Sequence, residues 1–376
     1  MKMAAAVMFE QGLPRPFAVS RPLRIETVDL EGPGDGEVLV EIAGAGLCHS
    51  DLSAIEGNRP RAVPTVVGHE ASGIVRDVGA GVTRVTVDDP VVMLFVASCG
   101  VCDLCTSGRP NLCQASWSAR AAGTLQSGAR RLSLRGQPLH HYSGISCFAE
   151  FAVVSERSLM TLPKALPLLD AAILGCAVIT GVGAVFNTAG DVRRKSVAII
   201  GLGGVGLSAL LGAVQGGATT IIAIDLAPAK LELAAALGAT HTFLGNDPDC
   251  VARVRELTNG GVDVGFEMAG SVPAMNLAYA IGRRGSTTVC AGLPAQSATF
   301  AMPSAALVAD ERVIKGSYMG SAVPSRDIPK LVGLVLEGAL PIHKLRSDVI
   351  GFDGLNAGFD RLADGDGVRQ VLQCRP

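Results

Sequence analysis

Cys99, Cys102, Cys105 and Cys113 fall within fifteen residues as C-x2-C-x2-C-x7-C. Four soft thiolates at this spacing can close a tetrahedral zinc site from a single loop. Cysteines so close together favour one shared ion over two strained disulfides. A structural zinc is therefore predicted. The alternatives are an unrelated cysteine-rich loop or an iron–sulfur site, although the spacing does not match the ferredoxin runs. Three more potential ligands are scattered: Cys48 in GLCHSD, His69 in GHE and Cys176 in LGCAVITG. Taken singly, a buried cysteine is a small hydrophobe and a lone histidine a hydrogen-bonded core residue, so their wide spacing does not establish a site.

A third constellation binds phosphate rather than metal. Gly201, Gly203 and Gly206 form G-x-G-x-x-G, with Gly204 and Val205 inside the turn. Alone this is a weak signal. Here it follows an apolar strand pattern and opens a helical one within a βαβ unit. Gly201 permits the tight turn, Gly203 lets a pyrophosphate approach the backbone, and Gly206 lets helix pack closely on strand. The helix N-terminus then offers free N–H groups to the phosphates. Asp225 ends the next strand, nineteen residues after Gly206. Its carboxylate can accept from both ribose hydroxyls and repel a 2′-phosphate, which predicts NAD rather than NADP.

These residues need elements to position them. The first 150 residues carry short β-like runs broken by Gly and Pro: EVLVEIAGAG, GIVRDVGAGV, PVVMLFVAS and FAEFAVVS. From about residue 170 strands alternate with helices. Strands are predicted at 196–201, 220–225, 241–244, 262–267, 287–291 and 314–318, and helices at 204–215, 228–237, 249–257 and 273–282. This is the pattern of an α/β, doubly wound parallel sheet. The tail has a helix at 328–337 and short strands expected to return to the first domain.

Composition narrows the class. The chain has 376 residues, enough for two domains with real cores. Net charge is −2 with no basic block, which argues against nucleic acid and against a polybasic membrane anchor. Only 18% of residues are charged and 46 are glycines, as in a turn-rich α/β enzyme. Ten cysteines in a chain of this length do not make a secreted disulfide scaffold. The first residues, MKMAAAVMFEQG, lack a long apolar core with a cleavage site. A reduced, cytoplasmic protein is expected. Two stretches, 171–190 and 196–224, are uncharged and long enough to span a bilayer. The second divides into strand, glycine turn, helix, glycine turn and strand, as a buried parallel sheet does, and no membrane span is expected.

The order CHSD, GHE, the four-cysteine loop, GC-x3-TG and GLGGVG resembles the zinc-dependent alcohol dehydrogenases of the medium-chain dehydrogenase/reductase superfamily, over nearly the whole chain. The segment RRLSLRGQPLHHYSGISCFAEFAVV is similar to the longer-loop branch, with liver-type and glutathione-dependent formaldehyde dehydrogenases. The resemblance implies a GroES-like, β-rich catalytic domain at 1–178 with a structural-zinc lobe at about 95–115, a Rossmann NAD-binding domain at 179–322, and a return segment at 323–376. It implies two zinc ions per chain, the catalytic one on Cys48, His69 and Cys176. Two thiolates and an imidazole leave a fourth position for water or substrate oxygen. Asp51 is the expected partner of His69. Glu70 is expected either behind the metal as a transient ligand or as a hydrogen-bond acceptor. Ser50 is the expected proton carrier, since a hydroxyl both donates and accepts; the histidine that continues the relay in many relatives is replaced here by Ser53. His49 and Arg369 match contacts to the cofactor pyrophosphate, and Thr180 a residue packing on the nicotinamide. Lys230 could reach the adenosine ribose or be a solvated helix side chain. The implied reaction is reversible, NAD-linked oxidation of a primary alcohol, aromatic or medium-chain, to an aldehyde, through a zinc alkoxide and hydride transfer.

Substrate identity is thinner in the sequence. By resemblance Phe95, Trp117, Tyr142, Leu293 and Met319 line the substrate channel, or are plain core. S-hydroxymethylglutathione is the alternative substrate. The formaldehyde-specific branch places two acidic residues after the first zinc cysteine, where this chain has Arg59 and Arg61, and an arginine where it has Trp117. Arg59 and Arg61 could attract an acidic substrate or lie in a solvated loop. The remaining cysteines, Cys147, Cys250, Cys290 and Cys374, are expected to be reduced. Rival classes are a non-enzymatic zinc module that reads nucleic acid, which the charge disfavours, and a zinc-free reductase relative, which would lack the Cys/His/Cys set. The partners expected are a small alcohol or aldehyde and a second copy of the chain in a homodimer, with a tetramer as the other form.

Overall fold

The computed structural model describes residues 1–375. The chain forms two compact units: one of Met1–Cys176, Val323–Val332 and the segment from Arg346 on, the other of Ala177–Ala322 and Gly333–Leu345.

The first unit is built on two sheets. One runs Gln137–Pro138, Leu132–Leu134, Leu23–Leu30, Lys2–Met8, Thr65–Val66, His140–His141. The other runs Leu159–Thr161, Pro90–Met93, Ala71–Val78, Glu37–Gly46, Arg369–Leu372, Arg346–Ile350, with Phe151–Ser155 also paired to Glu37–Gly46. Alternation explains the central strand: Val38, Val40 and Ile42 are buried, while Leu39 and Glu41 are half-buried. Met3, Val28, Val66, Leu125 and Val153 share one core cluster. The strand near the C-terminus fixes the approach to Cys48, because Val371 pairs with Gly46 and Leu372 with Ala45. Gly46 must be small here, since a Cβ would lie 3.0 Å from the Glu70 carboxyl group.

The second unit contains an all-parallel sheet ordered His241–Leu244, Thr220–Asp225, Ser196–Ile200, Val262–Glu267, Gly282–Cys290, Val313–Gly316. Counted along the unit this is 3-2-1-4-5-6, the dinucleotide-binding order, with its switch point beside Ser196–Ile200. Helices Gly204–Gln215, Pro228–Ala236, Cys250–Leu257 and Val272–Ala280 connect the strands within a residue or two of the predicted bounds.

Two helices that the sequence reading did not place, and one that it started late, have physical causes. The uncharged stretch at 171–190 lies in one helical run, Leu168–Ala189, apolar on all sides and 83% buried in its most apolar window. That is the burial of a core helix, although length and composition alone would let it cross a membrane. Gln114–Ala122 is helical despite small polar residues, ended by Gly123 in the left-handed region at φ 65°. The tail helix starts at Pro324 rather than 328, because Asp327 reaches back to accept the Val323 N–H at 2.9 Å. At 87–90 (VDDP), Asp88 adopts φ 70°, a backbone conformation that aspartate tolerates better than most residues.

Candidate active site and metal centres

The four-cysteine loop folds as the spacing requires. The Sγ atoms of Cys99, Cys102, Cys105 and Cys113 all lie within 4.8 Å of one another. Cys99 and Cys105 are 3.9 Å apart, which no disulfide bridges but which approximates the ~3.8 Å edge of a tetrahedron with 2.3 Å Zn–S bonds. Backbone amides point at the sulfurs: Cys99 N–H donates to Cys113 Sγ at 3.2 Å and Cys102 N–H to Cys99 Sγ at 3.3 Å. Amides of Gln114 and Cys105 pull the Cys102 thiol down to about 6. Burial pushes Cys105 up to about 12. The four sulfurs leave no position open, so this centre suits a structural zinc.

The scattered ligands also converge. Cys48, His69 and Cys176, all buried, place one donor atom each within 4.8 Å of the others. Cys48 is the N-cap of helix His49–Ile55. Asp51, three residues on and fully buried, accepts the Cys48 N–H through Oδ2 at 3.2 Å and bonds His69 Nδ1 through Oδ1 at 2.8 Å. One carboxylate thus sets two ligands against each other and turns His69 Nε2 toward Cys176 Sγ, 3.5 Å away. Cys176 sits on a π-helical turn, Leu174–Val178. The neighbouring Gly175 lets that turn press on strand Pro90–Met93, since a Cβ would meet the Met93 carbonyl oxygen at 1.9 Å.

Charge in this cluster is tightly arranged. A hydrogen bond from Cys176, then the charges of Arg369 and His69, hold the Cys48 thiol well below its usual range against burial. Cys176 is pushed up by that same hydrogen bond and by burial. Against burial, Asp51 and then Cys48 hold His69 well above its ordinary value. Two sulfurs and an imidazole nitrogen at these distances fit three corners of a tetrahedral zinc and leave a fourth.

In the second unit the glycine turn has the shape its sequence implies. Gly201 has φ 90°, and a Cβ there would strike Ala269 at 2.7 Å; at Gly206 it would lie 1.8 Å from the Gly201 carbonyl oxygen. At Gly203 a Cβ would meet nothing within 4 Å, so the backbone is open to a pyrophosphate. Gly204 and Val205 begin helix Gly204–Gln215. Asp225 accepts the Leu202 N–H at 2.6 Å and the Ala227 N–H at 3.0 Å. It therefore shapes the turn.

Similarity to known proteins decides the family. Residues 34–164 match the alcohol dehydrogenase GroES-like domain and residues 204–337 the zinc-binding dehydrogenase family. An S-(hydroxymethyl)glutathione dehydrogenase of Photobacterium damsela subsp. piscicida is 38% identical, covering 99% of this chain and all of that protein. The chain is a zinc-dependent alcohol dehydrogenase of the medium-chain dehydrogenase/reductase superfamily. Two solved structures agree, each covering both chains completely. The alcohol dehydrogenase zinc-binding domain protein of Burkholderia ambifaria has TM-score 0.92 at 32% identity, and the benzyl alcohol dehydrogenase of Acinetobacter calcoaceticus 0.93 at 30%. As a member, this alcohol dehydrogenase is an NAD-dependent, zinc-containing oxidoreductase.

The other expected site residues of the dehydrogenase fall into two groups. Near the ligand set, Phe95 stands edge-on to His69 at 5.5 Å and Tyr142 tilts over it at 6.0 Å. The Tyr142 hydroxyl donates to the Ser50 carbonyl oxygen at 3.0 Å, and the Ser50 side chain is half-buried. His49, beside Cys48, is exposed. Glu70 is fully buried, its Oε2 3.4 Å from an Arg369 nitrogen. Arg369 is itself buried and donates to the Leu47 carbonyl oxygen at 2.6 Å. That contact braces the residues beside two ligands, a role the sequence reading did not assign to an arginine matched to pyrophosphate. Trp117 is 61% exposed, so it is not plain core.

The second group lies in the other unit. Thr180 is buried, Lys230 half-buried and Leu293 exposed. Met319 is buried with φ 52°, uncommon for a non-glycine residue. Sequence reasoning missed Arg120, whose guanidinium lies 5.3 Å from the Phe95 ring. No motif contains it, and only the helix Gln114–Ala122 carries it to that ring. All ten cysteines are free of disulfides.

Proposed function

We propose that this enzyme reversibly oxidises a primary alcohol to an aldehyde, with Cys48, His69 and Cys176 holding a catalytic zinc and NAD accepting the hydride. The convergence of those three donors around one missing corner carries the reading. A zinc ion held there would supply Lewis acidity, of the kind that lowers a bound water's pKa to about 7 in favourable sites. The chain does the rest. Asp51 keeps Nδ1 of His69 engaged, so Nε2 is the nitrogen turned to the ligand cluster. Ser50 accepts the proton that the alcohol loses and gives up its own to water or to a cofactor ribose hydroxyl, since Ser53 stands where relatives carry the relay histidine. Phe95 and Tyr142 give the site apolar walls. Arg369 balances Glu70 and the neighbouring thiolates. Gly203 and the start of helix Gly204–Gln215 receive the cofactor phosphates, and Asp225 favours NAD by facing the ribose.

Two substrate readings are supported by different observations. The name of the 38% identical relative supports S-(hydroxymethyl)glutathione, and it does so more strongly than the comparisons support a simple alcohol. The aromatic walls, with Arg59 and Arg61 in place of an acidic pair, support an aromatic primary alcohol. The exposed edge strand Val313–Gly316 is the surface assigned to a homodimer, with a tetramer as the other form, and the cytoplasm is the compartment assigned. The test is an alcohol panel that includes S-(hydroxymethyl)glutathione, with NAD, following NADH absorbance. Cys48→Ala or His69→Ala should abolish NADH formation and remove one of two zinc ions while the chain stays folded. Full activity after either change would refute the assignment.

A further inference from the structure

Two guanidinium groups stand beside the ligand cluster, each one aromatic ring away from His69. Arg61 Cζ lies 5.8 Å from the Tyr142 ring. Arg120 Cζ lies 5.3 Å from the Phe95 ring and 6.0 Å from that of Trp117. Both arginines are half-buried. The backbone of Arg61 is tied down, its N–H donating to Gln11 Oε1 at 3.0 Å. Its side chain makes no ion pair among the described residues, and its buried Nε has no hydrogen-bond partner. The carboxylates of the cluster are engaged elsewhere: Asp51 with Cys48 and His69, Glu70 opposite Arg369. A guanidinium lying over an aromatic face keeps its planar fork of donors in reach of a carboxylate, and partial burial strengthens that pairing.

We propose that Arg61 and Arg120 form a cationic subsite that selects alcohols bearing a carboxylate remote from the reacting hydroxyl. Phe95 and Tyr142 hold the apolar body between the two ends. This rests on the proposed catalytic role of Cys48, His69 and Cys176 and names the substrate class of that site. The carboxylate has two sources, an aromatic acid such as 4-(hydroxymethyl)benzoate or the peptide carboxylates of S-(hydroxymethyl)glutathione. The ammonium of the glutathione adduct would oppose Arg61, which favours the aromatic acid.

The experiment compares kcat/KM for 4-(hydroxymethyl)benzoate, benzyl alcohol and S-(hydroxymethyl)glutathione in the wild type, Arg61→Gln, Arg61→Lys and Arg120→Gln, with zinc content as a folding control. Loss of a hydrogen bond to a charged group corresponds to roughly ten-fold or more. The wild type should therefore favour 4-(hydroxymethyl)benzoate over benzyl alcohol by about that factor, expressed in KM. Each glutamine variant should cut the ratio by about ten-fold, and Arg61→Lys should restore part of it. Preference for S-(hydroxymethyl)glutathione with the same dependence on Arg61 would support the subsite and assign the carboxylate to the peptide. Benzyl alcohol oxidised as well as the acid, or ratios unmoved in both glutamine variants, would overturn the subsite while leaving the alcohol chemistry intact. Oxidation of none of the three would overturn both.

Discussion

Asp51 shows how much one side chain can organise. Its two oxygens address two ligands, the backbone of Cys48 and the ring of His69, from a fully buried position. Burial raises its pKa, yet the imidazole beside it opposes protonation, so the carboxylate and His69 depend on each other. Asn in its place keeps shape but loses the charge and one acceptor. Asp51→Asn should lower zinc occupancy of the catalytic site, or turnover, by about 10–100-fold, the usual cost of losing a carboxylate behind a ligating histidine. Zinc analysis should show the four-cysteine site still filled; equal loss from both sites would mean that Asp51 serves the fold rather than the histidine. The four clustered cysteines were legible from residue type and spacing, whereas Cys48, His69 and Cys176 were legible only through the family resemblance. Arg120 was not, and Arg369 was read only as a pyrophosphate contact, without its bonds to Leu47 and Glu70. What an arginine meets depends on elements brought together from 47, 70 and 95, and no local pattern encodes that. Asp225 was legible only by half, because its bonds to Leu202 and Ala227 depend on turn geometry.

Legibility at the level of elements follows periodicity. From 196 to 267 the strands are largely apolar runs bounded by turn residues, so they could be read within a few residues, whereas Gly282–Cys290 opens on Gly-Arg-Arg-Gly and only its apolar end was legible. The helix around Cys176 has no polar face, and without alternation of any period its type was undetermined. The strand His140–His141 was hidden by its two-residue length, and it carries an energetic consequence. His141 Nε2 accepts the Arg131 N–H at 3.0 Å, and burial pushes the ring down to about 4 from 6.5, with the charge of Glu37 pulling the other way. The folded chain thus refuses a proton that the unfolded chain accepts below about pH 6.5. The stabilisation is complete above that pH and is lost as the pH falls toward 4, on the order of 3 kcal/mol in all. His141→Gln keeps an acceptor but cannot titrate. Urea unfolding at intervals from pH 7 to 4 should show a shallower decline for the variant, and parallel curves would refute the role of His141.

Across the whole molecule the two chemistries are divided between the two compact units. All seven candidate metal ligands belong to the first unit, while Gly201, Gly203, Gly206 and Asp225 belong to the second. The glycine turn takes its shape from contacts inside its own unit: Gly201 against Ala269, Gly206 against Gly201, Asp225 on Leu202 and Ala227. Nothing in that list involves a cysteine ligand. Removing zinc should therefore cost the molecule its reaction before its cofactor affinity. A chelator titration that removes the ion on Cys48, His69 and Cys176 should abolish NADH formation. NADH binding, read from nucleotide fluorescence, should weaken by no more than a few-fold, an energetic change within about 1 kcal/mol. Removing the second ion as well should destabilise the first unit, because the four thiolates of that loop repel once their cation is gone. Its melting transition should fall while that of the nucleotide-binding unit, and its protection by added NADH, persists. Loss of NADH binding in step with the first zinc would show instead that the metal site organises the glycine turn, and the division of labour drawn from the two folded units would fail.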